Sequence, residues 1–390
     1  MKKADFYIFN NGLMTTNTMS GSDQRAFNWS RIFSAEHYHV NVFTSAAGAK
    51  RFIALGLKVY VTGATYLKSN IGLFLVYLSR AVNSCLLQFK IKFTDGDVAY
   101  SSSDLLADVI PALFMKLRNK HSKLVVGMHL VAPNPFKGFN KLYTAGIKLP
   151  SLSNLYYFIF QRAVLLVLKR MASLVLVSNQ SDRIFLLRKG FSPERILVTY
   201  GACDALFGDS VLNASKTYDA VYVGRLHSQK GFPDLLQVWK MVVEKLPNAK
   251  LEVIGEDINA RDFMLFVKKN KLEQNIQFLG FLGGAQKYSY IKSSKVLILP
   301  SYYESFGIVA LEAMACAVPV VAYDLPVFRE IYTKGMVRAP IGDINCMARN
   351  TIELISDDAK RMALSKDAWE LSRQFSWEKT ASDILRVIGD

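Results

Sequence analysis

Cysteine is scarce and scattered. Only Cys85, Cys203, Cys316 and Cys346 occur in 390 residues, with no CxxC and no paired spacing. That argues against structural zinc and suits a reducing compartment. The start, Met1-Lys2-Lys3-Ala4-Asp5, lacks the long apolar region and small-residue cleavage site of a signal peptide. Uninterrupted apolar runs are missing too. Ile71–Phe89 is broken by Arg80, Asn83 and Gln88, and Leu155–Val177 by Gln161-Arg162 and Lys169-Arg170. Neither is expected to span a membrane. There is no repeat at a solenoid period and no low-complexity segment. The most pointed absence is of acid. Between Asp108 and Asp182 no Asp or Glu occurs, while ten Lys or Arg fall there.

What is present is globular. The chain is 51% hydrophobic and 21% charged, and its length exceeds one core, predicting two domains of roughly 150–200 residues. The net charge of +16 is lopsided. Residues 1–200 hold 25 Lys and Arg against 9 Asp and Glu; residues 201–390 hold 23 of each. A basic face attracts an anionic partner: nucleic acid, a phospholipid surface or a phosphorylated substrate.

Short apolar runs alternate with helical lengths in the second half: Tyr218–Gly224, Leu251–Gly255, Ile276–Gly280, Val296–Pro300 and Val318–Tyr323. Strands apolar on both faces belong to a parallel sheet covered by helices, and the β-then-α order predicts a doubly wound α/β domain. The first half repeats the plan at Phe6–Phe9, Val40–Phe43, Lys58–Val61, Val98–Ser101, Leu124–Met128, Leu174–Val177 and Ile196–Val198. Two Rossmann-like domains are therefore expected, 1–203 and 204–374, with 375–390 a C-terminal helix packing back toward the first. The chain around Cys203–Lys216 is a hinge candidate. Ligands of such sheets sit beyond the carboxyl ends of the strands, so site residues should follow apolar runs directly.

Three stretches do. From Phe306 to Ala322 the only carboxylate is Glu312, in a helix sided by Ile308, Val309, Leu311, Met314 and Ala315. A buried lone carboxylate costs on the order of several kcal/mol, so a buried cation, hydrogen-bond donors or a ligand diol must meet it. Eight residues earlier, Glu304 follows the strand VLILP, and Phe306, Gly307, Ile308 and Val309 are expected in the first helical turn, whose N–H groups suit a phosphate. After the strand DAVYV come Arg225 and Lys230, a fork and a point charge able to reach one anionic group. After LVVGM stands His129, either a ligand contact or a satisfied structural histidine. In the first domain Gly21, in a loop at a helix start, is a weaker candidate for approaching phosphates.

Gly224-Arg225-Leu226 with Lys230-Gly231, and Pro300-Ser301 with Glu304-Ser305-Phe306-Gly307 through Glu312-Ala313, resemble the retaining glycosyltransferases of family 4, which have the GT-B fold. Weaker echoes are Val177-Ser178, Tyr200-Gly201 with Asp204 and Phe207, and Phe375-Ser376-Trp377; Gly21-Ser22 stands where members often carry a glycine pair. The resemblance implies two Rossmann-like domains facing across a cleft and a nucleotide-diphosphate sugar as donor. It implies that Arg225 and Lys230 bind the diphosphate and that Glu312 holds the ribose hydroxyls. Glu304 with the Phe306 and Gly307 amides would hold the sugar, with Ile308 and Val309 in the phosphate-facing turn. His129 would contact the sugar and Gly21 the phosphates. Transfer would be front-face, with retention, and without metal or other cofactor.

Asp95-Gly96-Asp97 spells DxD, the metal signature of the other major glycosyltransferase fold, but it precedes its strand and is expected to be a turn. A glycosidase-like acid and nucleophile pair in Glu304 and Glu312 fits poorly, because both stand on one loop and helix. Leu155–Met171 carries a narrow polar stripe, read as a core helix or as one lying on a membrane. Pro135–Tyr157 mixes Phe136, Lys137, Phe139, Lys141, Tyr143, Lys148 and Tyr156-Tyr157, as interfacial segments do. No nucleic-acid recognition motif accompanies it. The sequence therefore points to a cytoplasmic glycosyltransferase, peripheral on the inner membrane face through its basic half, with a lipid-linked or glycan acceptor. The alternatives are the same transfer to a soluble small acceptor, and a catalytically silent GT-B-fold protein binding anionic lipid or glycan.

Overall fold

The computed structural model describes residues 4–12, 19–63, 70–136, 152–203, 211–255 and 260–389. Asp204, Phe207, half of the hinge candidate (204–210), and Lys137, Phe139, Lys141, Tyr143 and Lys148 lie outside the described residues. The described residues form two compact units, one of residues up to 136, 152–201 and 377–389, the other of 202–376.

The first unit runs β1 (Phe6–Asn10), α1 (Gly21–Ala35), β2 (Val40–Thr44), α2 (Ala46–Ile53), β3 (Lys58–Val61), α3 (Asn70–Gln88), β4 (Val98–Ser101), α4 (Leu106–Arg118), β5 (Lys123–Met128), α5 (Leu152–Met171), β6 (Leu174–Val177), α6 (Gln180–Arg188) and β7 (Ile196–Val198). The second runs β8 (Tyr218–Val223), α7 (Phe232–Lys245), β9 (Leu251–Ile254), α8 (Ala260–Lys269), β10 (Ile276–Gly280), α9 (Gly284–Lys292), β11 (Ser294–Leu299), α10 (Ile308–Ala315), β12 (Val320–Tyr323), α11 (Pro326–Ile331), β13 (Met336–Ala339), α12 (Ile344–Ser356) and α13 (Asp358–Ser372). α14 (Trp377–Gly389) returns to the first unit.

Each unit holds one parallel sheet. The strand orders are β3-β2-β1-β4-β5-β6-β7 and β10-β9-β8-β11-β12-β13. Both reverse direction beside their first strand, between β1 and β4 and between β8 and β11. Crevices beyond the carboxyl ends of a doubly wound sheet open at such reversals. The central strands are buried on both faces, and each sheet has its own core, around Phe9, Met128 and Leu168 in one and Tyr222, Trp239 and Ile298 in the other. β13 escapes the sequence pattern because it is a short edge strand carrying Arg338, whose guanidinium caps the Phe328 and Tyr332 carbonyls.

Local chemistry sets the element starts. Ser20 caps α1 in a reciprocal box with Asp23. The fully buried Trp29 of α1 donates its indole N–H to Thr380 of α14 at 2.9 Å, and Arg31 pairs with Glu378. Asp95-Gly96-Asp97 is a turn: Asp97 is buried and accepts from the Thr94 and Asp5 amides and the Thr94 hydroxyl.

At the first sheet's reversal, Asp108 is buried, accepting from the Asn11 amide at 2.6 Å and from the Ser102 and Ser103 hydroxyls. Burial outweighs those bonds and raises its pKa to about 7. Asp104, buried against Gln161 and Tyr157, is raised to about 6. A raised carboxyl is neutral in the fold while its unfolded counterpart ionises near pH 3.9. The stability it supports is therefore fully present below that value and is lost as pH climbs through about 7. Thermal melts of wild type and Asp108→Asn should converge near pH 4, with the wild type losing ground between pH 4 and 7; parallel curves would show that Asp108 is ionised in the fold.

Candidate functional site

The second sheet's reversal brings two loops together. The first leaves β8 as Gly224-Arg225, where the Tyr222 hydroxyl donates to the Arg225 carbonyl at 2.8 Å. It tightens into a 3-10 turn at Ser228–Lys230 and passes through Gly231 into α7. Gly231 has φ +65°, and a Cβ there would lie 1.8 Å from the Pro300 carbonyl oxygen. Only glycine lets this loop lie on the one that leaves β11. The Tyr302 amide donates to the Gln229 carbonyl at 3.0 Å and fastens the pair.

Across that seam Lys230 and Glu304 meet. Lys230 Nζ is 2.7 Å from Glu304 Oε1, and the Ser301 hydroxyl donates to the same oxygen at 2.9 Å. Among the described residues no donor takes Oε2. Arg225 is exposed on the rim, and among the described residues no carboxylate pairs with its guanidinium. A carboxylate, an ammonium and a guanidinium thus share the strand-end rim.

α10 begins two residues later than the sequence suggests. Gly307, at φ +82°, is the residue before the helix, and a Cβ there would meet the Phe328 ring at 2.7 Å. Phe306 lies earlier still, its ring buried against Tyr332 and Phe375. Neither belongs to the first turn, which Ile308 and Val309 open. The reason is steric: a left-handed residue cannot continue a right-handed helix, so the turn must start after it. Gly307 offers no side chain to cap the first amides, which leaves the positive end of the helix dipole available.

Glu312 is 3% exposed. Its cation is Lys287 of α9, at 2.6 Å from Oε1, with the Tyr288 hydroxyl at 3.3 Å from the same atom. Oε2 is buried without a hydrogen-bond partner. The two glutamates are held by separate lysines on separate elements. Burial of Glu312 demanded a partner, but only the tertiary fold could say that α9 supplies it.

In the first unit His129 follows β5 and is buried. Nδ1 lies 3.1 Å from the Ser178 hydroxyl, and Nε2 is buried without a partner. Burial, then the nearby Arg25, pushes its pKa well below the usual histidine value. The imidazole is therefore neutral through the neutral range. Arg25, itself buried, donates to the Ser178 hydroxyl and to the carbonyl of Gly21, both at 3.2 Å. Gly21 is the first residue of α1. His129, Ser178, Arg25 and Gly21 thus form one connected group; the sequence pattern marks all but Arg25, which passes for an ordinary surface position of the helix.

Two doubly wound parallel sheets, each reversing beside its first strand, with paired charged loops at the second reversal, define a GT-B fold. Residues 209–370, within the second unit, match the family model described as Glycosyl transferases group 1. Over 171 residues the chain is 33% identical to the phosphatidyl-myo-inositol mannosyltransferase of Mycobacterium leprae, covering 43% of this chain and 45% of that one. The chain spans about half the length, or less, of the curated relatives it matches. Among solved structures, Staphylococcus aureus TarM, crystallised with UDP, superposes at a TM-score of 0.75 over 100% of both chains with 14% identity. Anabaena HepE, in complex with UDP and glucose, gives 0.73 over 100% of both chains with 16% identity.

Proposed function

We propose that this chain transfers a sugar from a nucleoside diphosphate sugar to a lipid-linked or glycan acceptor, with retention and without a metal, at the cytoplasmic membrane face. The observation that carries the reading is the Lys230–Glu304–Ser301 cluster at the sheet reversal, beside the exposed Arg225 and the uncapped start of α10. Departure of a diphosphate concentrates negative charge, and fixed cations and amide dipoles aimed at that charge lower the barrier. Arg225 and Lys230 take the diphosphate, with the Ile308 and Val309 amides facing it. Glu304 and the Phe306 and Gly307 amides hold the sugar. Glu312 offers its unpartnered Oε2 to a ribose diol. The roles implied for His129, a contact to the sugar, and for Gly21, an approach to the phosphates, belong to the same proposal.

In the reaction the bond from the anomeric carbon to the phosphate oxygen breaks and one to the acceptor oxygen forms on the same face. The acceptor proton passes to the departing phosphate, so no protein base is required. UDP bound in TarM and HepE supports the choice of donor class. The relative that acts on phosphatidyl-myo-inositol supports a lipid-linked acceptor.

A thermal-shift screen of nucleotide sugars, followed by proton NMR of the released or transferred sugar, tests the reading. A stabilising nucleoside diphosphate sugar and a first product of the donor's own anomeric configuration are expected, with turnover surviving a chelator. An inverted product would overturn the retaining step; no stabilisation by any donor would overturn the assignment.

A further inference from the structure

α3 is built inside out. Its inward side is rich in polar groups beside Ala81 and Leu87: Arg80 donates to the Asn11 carbonyl at 2.7 Å, the half-buried Asn83 to that of Thr62 at 2.8 Å, and Gln88 to that of Pro111 at 2.9 Å. Ser84 is fully buried and accepts from the Asn11 side chain. Its exposed face carries an apolar stripe, with Ser79 the polar residue exposed beside it. Phe74, Leu78, Val82 and Leu86 recur every four residues, Leu75 lies beside them, and Phe89, 65% exposed, follows the last turn. A surface helix ordinarily does the reverse. The residues that break the run in sequence are the ones that bind this helix to its own unit, so they do not interrupt the outer stripe.

α5 continues the surface. The Phe74 ring meets Tyr156 edge-on at 5.3 Å, and Leu152, Ile159 and Leu166 are exposed on the same helix. Gln161, part of its sequence stripe, points inward to the Ala132 amide and Asp104. Both helices lie in stretches without acid, residues 37–94 and 109–181. The rim is cationic. Lys90 and Lys92 are exposed beside Phe89, and the Arg118 guanidinium sits 4.9 Å over the Phe89 ring. Among the described residues no helix is long and apolar enough to cross a membrane.

We infer that the outer face of α3, extended by α5, is the surface by which this chain lies on an anionic lipid bilayer; this rests on the membrane-face reading and names the surface responsible. An apolar stripe with a basic rim fits the boundary between acyl chains and phosphate headgroups. A second copy of the chain fits worse, because like-charged rims would face each other.

Vesicle co-sedimentation tests it. Wild type is expected to bind phosphatidylcholine vesicles containing phosphatidylglycerol, and to bind phosphatidylcholine alone far more weakly. The double variant Leu78→Glu, Val82→Glu should lower binding at least tenfold, and Lys90→Glu, Lys92→Glu should remove the preference for phosphatidylglycerol. Hydrolysis of the donor sugar nucleotide and the melting temperature should stay at wild-type values in both, since these side chains are exposed. Wild-type binding retained by the α3 variant overturns the surface, as does a wild-type dimer that the same variant splits. If wild type hydrolyses the donor but ignores vesicles, this inference falls and the transferase reading stands. Vesicle binding that the α3 variant loses, without donor turnover in wild type, keeps the surface and overturns the transferase reading.

Discussion

Lys230→Ala is expected to lower kcat for the sugar nucleotide by about 10²–10³-fold, the loss typical when one preorganised charge-stabilising group is removed. The melting temperature should move little. Lys230 is partly exposed, and its partner Glu304 keeps the Ser301 hydroxyl. If the ammonium neutralises charge that builds only as the diphosphate departs, kcat falls more than the KM changes. If Lys230 serves only to hold Glu304, KM takes the larger effect. The double variant Lys230→Ala, Glu304→Gln separates these cases. Groups sharing one hydrogen-bonded contact are not additive, so the pair should cost clearly less than the product of the single losses. A variant with wild-type kcat and KM would remove Lys230 from the reaction.

Gly231→Ala should be the most damaging single methyl in the second unit. Two costs combine. A non-glycine residue at φ +65° pays about 1–2 kcal/mol, and the new carbon would stand 1.8 Å from the Pro300 oxygen, so the two loops must part. A total of about 2–4 kcal/mol is reasonable for strain with overpacking. For a domain of this size that is a fall of roughly 5–15 °C in Tm. Donor turnover should fall with it, because Lys230 and Glu304 stand on the two loops being separated. Gly280→Ala is the control: φ is +68°, but nothing lies within 4 Å of the added carbon. It should show the strain alone and keep its activity. Equal effects in the two variants would mean that the seam yields without consequence.

The sheets were the legible part of the chain. Buried parallel strands are apolar on both faces, so runs such as AVYV and VLIL mark their positions in any context. Edge strand β13, half-buried, four residues long and interrupted by Arg338, carries no such mark. The glutamates were legible as types, because Glu312 stands alone in an apolar helix. Its partner Lys287 was not, since pairing across 25 residues depends on how α9 packs. The start of α10 was misplaced because φ at Gly307 is a property of the loop and not of composition. α3 shows a different failure. Arg80, Ser84 and Gln88 recur every four residues, a helical stripe plain in the sequence; its sign is what misleads, because Arg80 and Gln88 meet backbone carbonyls and Ser84 meets the Asn11 side-chain amide. Periodicity identifies two faces of a helix, while the neighbouring groups decide which turns inward.

α14 carries a consequence for synthesis. Trp29, made early, has its indole N–H satisfied by Thr380, a residue translated after the whole of the second unit. While a ribosome is still making residues 202–376, the first unit has an open flank where α14 will dock, with a tryptophan edge showing. Chaperone contacts on the growing chain should concentrate there, and separate expression of the first unit requires residues 377–389 to be supplied, on a linker or as a peptide. The order of assembly in this chain is not the order of its sequence.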